Sequence, residues 1–269
     1  MTSSVRWDPQ QYVRYADERN RPFVELLARV DVARAGASDP SYVVDLGCGP
    51  GPLTRLMADR WPTAAVLGVD SSPEMIESAQ EHAIDGRLDF VVGDIGTWRP
   101  DRPVDVLVSN AALHWVPGHV ELFAGFADAL TPDGVFAFQV PDNFTEPSHT
   151  LLLELRTSPR WRDQLGEGAD RTIGVERPSR YLDALIAAGL SADVWQTEYL
   201  QILPGEDAVL EWVKGTALRP VLSKLEGADR EEFLADYAAV LREAYPPQPF
   251  GTVFPFRRTF AVARRARHG

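Results

Sequence analysis

The chain has 269 residues, with 27 Lys and Arg against 39 Asp and Glu, a formal net charge of −12; this disfavours nucleic-acid binding, where phosphate neutralisation by a basic face supplies most of the affinity. Hydrophobic residues make up 45% and charged residues 25%, the balance of a globular protein rather than a disordered tail or a disulfide scaffold. Cys48 is the one cysteine and allows no intrachain disulfide; no run approaches the roughly 18 apolar residues of a membrane helix and residues 1–10 lack a secretory h-region, so a cytoplasmic protein is expected.

In chain order, residues 41–46 read as a buried strand, 52–60 as a helix and 64–70 as a second strand. Ser71 and Glu74 have capping-box spacing around Pro73, so a helix starts there. Residues 87–93 and 104–110 are strands three and four, 119–130 an amphipathic helix and 134–140 strand five. Strands separated by helices of this length imply right-handed βαβ units and a parallel sheet. Residues 141–175 read as irregular and polar, too long for a simple connection, and are expected to form a lid or insertion. A helix follows over 178–188, stopped by Gly189. Residues 192–203 form a long strand, 207–245 are mostly helical, and 254–264 form the final strand. The expected fold is therefore α/β: a Rossmann-like, mostly parallel seven-stranded sheet with helices on both faces and a helical cap inserted before the last strand. As one domain over 1–269, it divides into an N-terminal helical segment (1–40), a cofactor-binding core (41–140), a lid or insertion (141–178) and a helical substrate cap (205–250).

The strongest motif is Asp45-Leu46-Gly47-Cys48-Gly49-Pro50-Gly51, at the end of the first strand and just before a helix. Open α/β sheets bind ligands there, glycines allow close backbone approach, and the helix start offers free N–H groups. A dinucleotide fingerprint would need a third glycine at position 52, where this chain has proline. The pattern D-x-G-x-G-x-G instead resembles motif I of the class I S-adenosylmethionine-dependent methyltransferases. That resemblance implies that Asp45, Gly47 and Gly49 hold the methionine part of S-adenosylmethionine. Asp70 ends the second strand about twenty residues on, where a carboxylate accepts ribose hydroxyls, a feature shared with nicotinamide enzymes. With Ser71 and Met75 it joins the expected cofactor contacts. The resemblance assigns Asp94 to the adenine amino group and Ile95 to a backbone contact, and it sets Asn110, with His114 and Trp115 as positioning residues, facing the reacting methyl. Asp45 could instead cap its own turn, Asp94 could be a solvated turn residue, Trp115 could be core, His114 could equally be a general base or a solvent-facing loop residue, and Cys48 reads as a packing residue.

Segments outside this core resemble one family, the trans-aconitate 2-methyltransferases. They are Trp7-Asp8-Pro9 with Tyr12, Glu18-Arg19-Asn20-Arg21-Pro22, Pro141-Asp142-Asn143 with Glu146-Pro147 and His149, Trp195 with Thr197 and Tyr199, Trp212-Val213, Thr216, Leu218-Arg219-Pro220, Tyr245-Pro246, and the ending from Arg258 to Arg265. The departures are an extended linker at 33–39 and a divergent stretch at 156–177. The resemblance implies methyl transfer to a carboxylate of a small tricarboxylate, giving its monomethyl ester and S-adenosylhomocysteine; another small acid or natural product is the alternative substrate. A tricarboxylate calls for arginine forks and aromatic hydroxyls. Arg19, Arg21, Arg219 and Arg258, with Tyr12, Trp115, Asn143 and Tyr245, are the candidate wall. Arg219 is favoured for its place at a helix break. Only Lys214 and Lys224 among the 27 basic residues are lysine, a skew that a codon-composition bias explains for the most part; a few of the arginines are expected to converge beside Asn110 and Trp115. His82, His114, His119, His149 and His268 show no ligand spacing, so no metal is expected.

Overall fold

The computed structural model describes residues 16–32, 39–165, 174–215 and 217–265. Seven strands form one sheet in the order β3-β2-β1-β4-β5-β7-β6. They are β1 (Tyr42–Leu46), β2 (Ala65–Asp70), β3 (Leu88–Val92), β4 (Val104–Asn110), β5 (Leu130–Pro141), β6 (Leu190–Leu203) and β7 (Thr252–Arg265). β1 pairs in parallel with β2 and β4, β2 with β3, and β4 with β5; the sheet as a whole is mixed. The helices are α1 (Ala16–Ala28), α2 (Pro52–Arg60), α3 (Pro73–Ala79), α4 (Phe123–Ala129), α5 (Pro147–Thr157), α6 (Arg162–Leu165), α7 (Pro178–Ala187), α8 (Ala208–Lys214), α9 (Arg219–Leu222) and α10 (Gly227–Ala244). None of the described helices is long and apolar enough to cross a membrane.

The chain divides into two compact units. The core unit lies within Trp7–Pro141, Ile173–Gln196 and Thr259–Gly269, and the second within Asp142–Thr172 and Thr197–Arg258. The heart of the core unit is apolar: Val44, Leu46, Leu107, Phe123, Phe136 and Phe138 are wholly buried around Tyr181 of α7. β1 is buried along its entire length, as expected of a central parallel strand covered on both faces. The end of α7 follows the sequence expectation, since Gly189 takes φ +80° just beyond it.

Four expectations are corrected. Among the described residues of 141–175 the chain is not irregular throughout: α5 and α6 lie there. The buried positions of α5 are Ser148, Leu152 and Arg156, so its inward stripe has helical spacing but is not apolar, and periodicity of hydrophobics could not reveal it. The cap of α3 is Ser72, whose hydroxyl accepts from the Met75 N–H at 3.2 Å, not Ser71, which is exposed. The segment 119–130 opens with a 3-10 turn over His119–Leu122 before α4. Strand β5 starts at Leu130, ahead of a register shift between Val104 and Val106 of β4, because Asp133 adopts φ +73° and lets the strand resume.

Candidate functional site

The carboxyl ends of β3, β2, β1 and β4 lie side by side in that order, so Asp94, Asp70, the glycine turn and Asn110 follow one edge of the core sheet. The turn is tied to β2: the N–H groups of Gly47 and Cys48 both donate to the Val69 carbonyl, at 2.7 and 3.1 Å. Gly47 has φ +82°, and a Cβ there would stand 2.1 Å from the Ala112 Cβ; only glycine lets this turn close on the loop after β4. A Cβ on Gly49 would meet nothing within 4 Å, so the far side of the turn is open to a ligand.

Asp70 is clamped by main chain. The Gly49 N–H donates to one carboxylate oxygen and the Ser72 N–H to the other, both at 2.9 Å. Each oxygen keeps a lone pair, enough to accept two vicinal hydroxyls. Asp45 is buried at 1% exposure. Thr54 of α2 donates to one of its oxygens at 2.7 Å, while the other is buried with no hydrogen-bond partner. Burial pushes the Asp45 carboxyl up to about 7; the Thr54 hydrogen bond opposes this and the Asp70 charge adds to it. A buried oxygen without a donor is costly, and here it fits a donor brought by a ligand. The sulfur of Cys48 is also buried, and burial pushes its thiol well above the ordinary range, as expected of a packing residue.

Asp94 is exposed and turns one oxygen onto the Gly96 N–H at 2.7 Å. Beside it Ile95 is buried, as is Met75. After β4, Ala111 takes φ +52°, and residues Leu113–Trp115 form a single 3-10 turn. His114 is buried, Trp115 half-buried, and their rings stand 4.9 Å apart. Asn110 is paired with a residue that motif reading does not flag: the Gln139 side-chain amide of β5 donates to its Oδ1 at 2.6 Å. Thr54, Ser72 and Gln139 are thus the additions to this edge. Gln139 was accessible in principle by aligning strand ends, since it stands in register with Asn110.

The remaining candidates divide. Arg21 is exposed on α1 and ion-paired with Glu25 at 2.8 Å. Asn143, Arg219, Tyr245 and Arg258 belong to the second unit. There, the Tyr245 hydroxyl accepts from the Ser148 N–H at 3.0 Å, and Tyr237 donates to the Ser148 carbonyl at 2.5 Å. Asn143 is buried; its amide nitrogen donates to the Pro255 carbonyl at 3.3 Å and its oxygen meets no partner. Arg258 is buried with its guanidinium 4.7 Å above the Phe256 ring, and Arg219 is half-buried at the first turn of α9. His149 rests edge-on against Phe144 at 5.1 Å, and burial pushes its imidazole down to about 4, so it is neutral. Tyr12, Trp7, Asp8, Pro9, Thr216 and His268 lie outside the described residues, as does the side chain of Arg19.

Comparison with known proteins agrees with this geometry. A methyltransferase domain family matches residues 43–134. A trans-aconitate 2-methyltransferase of Streptomyces avermitilis is 54% identical over 96% of this chain and 97% of its own. One from Rhodococcus jostii is 47% identical over 96% of this chain and 99% of its own. Among solved structures, a Haemonchus contortus phosphoethanolamine N-methyltransferase bound to S-adenosylhomocysteine shares the fold, with a TM-score of 0.54 at 16% identity over 92% of this chain and 53% of that one.

Proposed function

From the premise that the chain belongs to the trans-aconitate 2-methyltransferases, we propose that it is an S-adenosylmethionine-dependent enzyme forming the monomethyl ester of trans-aconitate, with S-adenosylhomocysteine as by-product. The observation that carries the cofactor reading is the edge of the core sheet: an open glycine turn flanked by a buried acid with an unmatched oxygen and a main-chain-clamped carboxylate. Asp45, Gly47 and Gly49 would hold the methionine part, Asp70 with Ser71 and Met75 the ribose side, and Asp94 and Ile95 the adenine. S-adenosylmethionine supplies, when bound, a methyl already activated on a sulfonium.

A carboxylate acceptor has an ordinary pKa near 4 and is ionised at pH 7, so the protein needs no general base. Its residues have two tasks. Asn110, His114 and Trp115 hold one carboxylate oxygen in the in-line position, where fixed geometry rather than proton transfer lowers the barrier. Arg19, Arg21, Arg219 and Arg258, with Tyr12, Asn143 and Tyr245, bind the two spectator carboxylates, the charge-assisted bonds for which arginine is suited. Because the transfer neutralises a carboxylate, strong solvation of that group slows it, so water exclusion belongs to the mechanism. Residues 205–250 are proposed as the substrate cap and 141–178 as a lid or insertion, in one methyltransferase domain acting on a small molecule in the cytoplasm.

Mass spectrometry of the purified protein incubated with trans-aconitate and S-adenosylmethionine tests the reading. The expected product is the acid heavier by one methylene, fragmenting as an ester. No methylated product from trans-aconitate overturns it, and turnover of another di- or tricarboxylate in the same screen reassigns the substrate.

A further inference from the structure

We propose that Gln139 is a positioning residue that fixes the polarity of Asn110, so that the end of β4 offers hydrogen-bond donors and selects a carboxylate as methyl acceptor. The inference rests on the methyl-transfer reading above and deepens it. Asn110 and Gln139 are register partners on the parallel strands β4 and β5, so their side chains emerge beside one another on one face of the sheet. The Gln139 amide nitrogen donates to Asn110 Oδ1 at 2.6 Å. Gln139 is wholly buried, and its main-chain carbonyl accepts the Ala111 N–H at 2.9 Å, which anchors the strand end where Ala111 adopts φ +52°. One strand over, the Ser109 hydroxyl bonds the Leu46 carbonyl at 2.8 Å, tying β4 to β1 immediately below the glycine turn.

An asparagine amide has one acceptor oxygen and two N–H donors. With the oxygen engaged by Gln139, the half-exposed Asn110 turns its N–H groups outward. Donors match the oxygens of a carboxylate. An amine nucleophile would need the opposite, an acceptor for its own N–H. Gln139 therefore acts on substrate choice through Asn110, without touching the substrate.

Steady-state kinetics on Gln139→Glu and Gln139→Met tests this, with wild type in parallel. A glutamate at 139 can only accept, so it draws the Asn110 N–H groups inward and turns the oxygen toward the acceptor site. Gln139→Glu is expected to lower kcat/KM for trans-aconitate roughly a hundredfold. Gln139→Met keeps the length but leaves Asn110 unoriented, with an expected loss of roughly tenfold. In both, the Kd for S-adenosylmethionine stays within about threefold of wild type. Folded variants of either kind with wild-type kcat/KM overturn the proposal, and so does a loss that follows cofactor affinity and thermal stability alone. If Gln139→Glu does not fold, Gln139→Met decides. Failure of the wild type to methylate trans-aconitate overturns the reading beneath it, and is read in the same assay.

Discussion

At the edge of the core sheet, the acidic side chains are held by partners close in sequence. Asp70 is bonded two and 21 residues away, Asp45 nine residues away and Asp94 two. In the second unit the partners are remote. Tyr245 and Tyr237 reach Ser148 across 97 and 89 residues, and Asn143 reaches Pro255 across 112. The first arrangement is a local backbone device that any strand–turn–helix with the right glycines and acids can build. The second exists only once distant segments have met. Under the proposed function, this difference separates the edge assigned to the cofactor from the unit assigned to the choice of acid.

Four substitutions test the comparison, from the largest expected effect to the smallest. Asp70→Ala removes the clamped carboxylate, and S-adenosylmethionine affinity measured by calorimetry is expected to fall roughly a hundredfold. Wild-type affinity would remove Asp70 from the site and break the assignment of the core edge to the cofactor. Arg219→Ala, in the second unit, is expected to raise the KM for trans-aconitate roughly tenfold or more while cofactor Kd stays near wild type. An unchanged KM would mean that this arginine is not a substrate anchor.

Asp45→Asn sharpens the contrast through pH. With its pKa raised to about 7 in the fold against about 3.9 when unfolded, the native state holds a proton between those values that the unfolded chain has lost. Asp45 therefore contributes most to stability below about pH 4, and the contribution declines as pH rises to 7, by about 1.4 kcal/mol per unit at most. Asparagine keeps an acceptor for Thr54 and does not titrate. Urea unfolding at pH 5 and pH 8 is thus expected to show the variant gaining on wild type at the higher pH. Equal differences at the two values would contradict the raised pKa. The smallest effect is expected at Arg160, which bonds Asp229 and Glu232 at 3.0 and 2.8 Å and covers the Trp161 ring at 4.2 Å. These charges are about half exposed, where ion pairs contribute little, so Arg160→Ala should leave Tm nearly unchanged. A large drop would show the exposed network to be structural.

Much of the core was legible from residues alone, and for a physical reason. Buried parallel strands are continuous apolar runs, so β1 and β4 stand within a residue of expectation. The turn after β1 announces itself because only glycine tolerates its backbone and its approach to Ala112. Helix α5 escaped because a serine and an arginine stand on its inward face beside Leu152, where an apolar pattern would have revealed it. That serine, Ser148, is bonded through both its N–H and its carbonyl to tyrosines near the other end of the second unit, partners that no local pattern contains.

The sequence by itself determined the α/β class, the order of the core strands along the chain, and the acids and glycines at their ends, because these depend on neighbours within one strand, turn or helix. Tertiary structure decided which oxygen of Asp45 is left without a donor, which way the Asn110 amide faces beside Gln139, and which hydroxyls close on Ser148. Those are questions of what stands opposite a polar atom once water has been removed. The partner is supplied by the helix packed behind the turn for Asp45, by another strand for Asn110, and by tyrosines nearly a hundred residues away for Ser148.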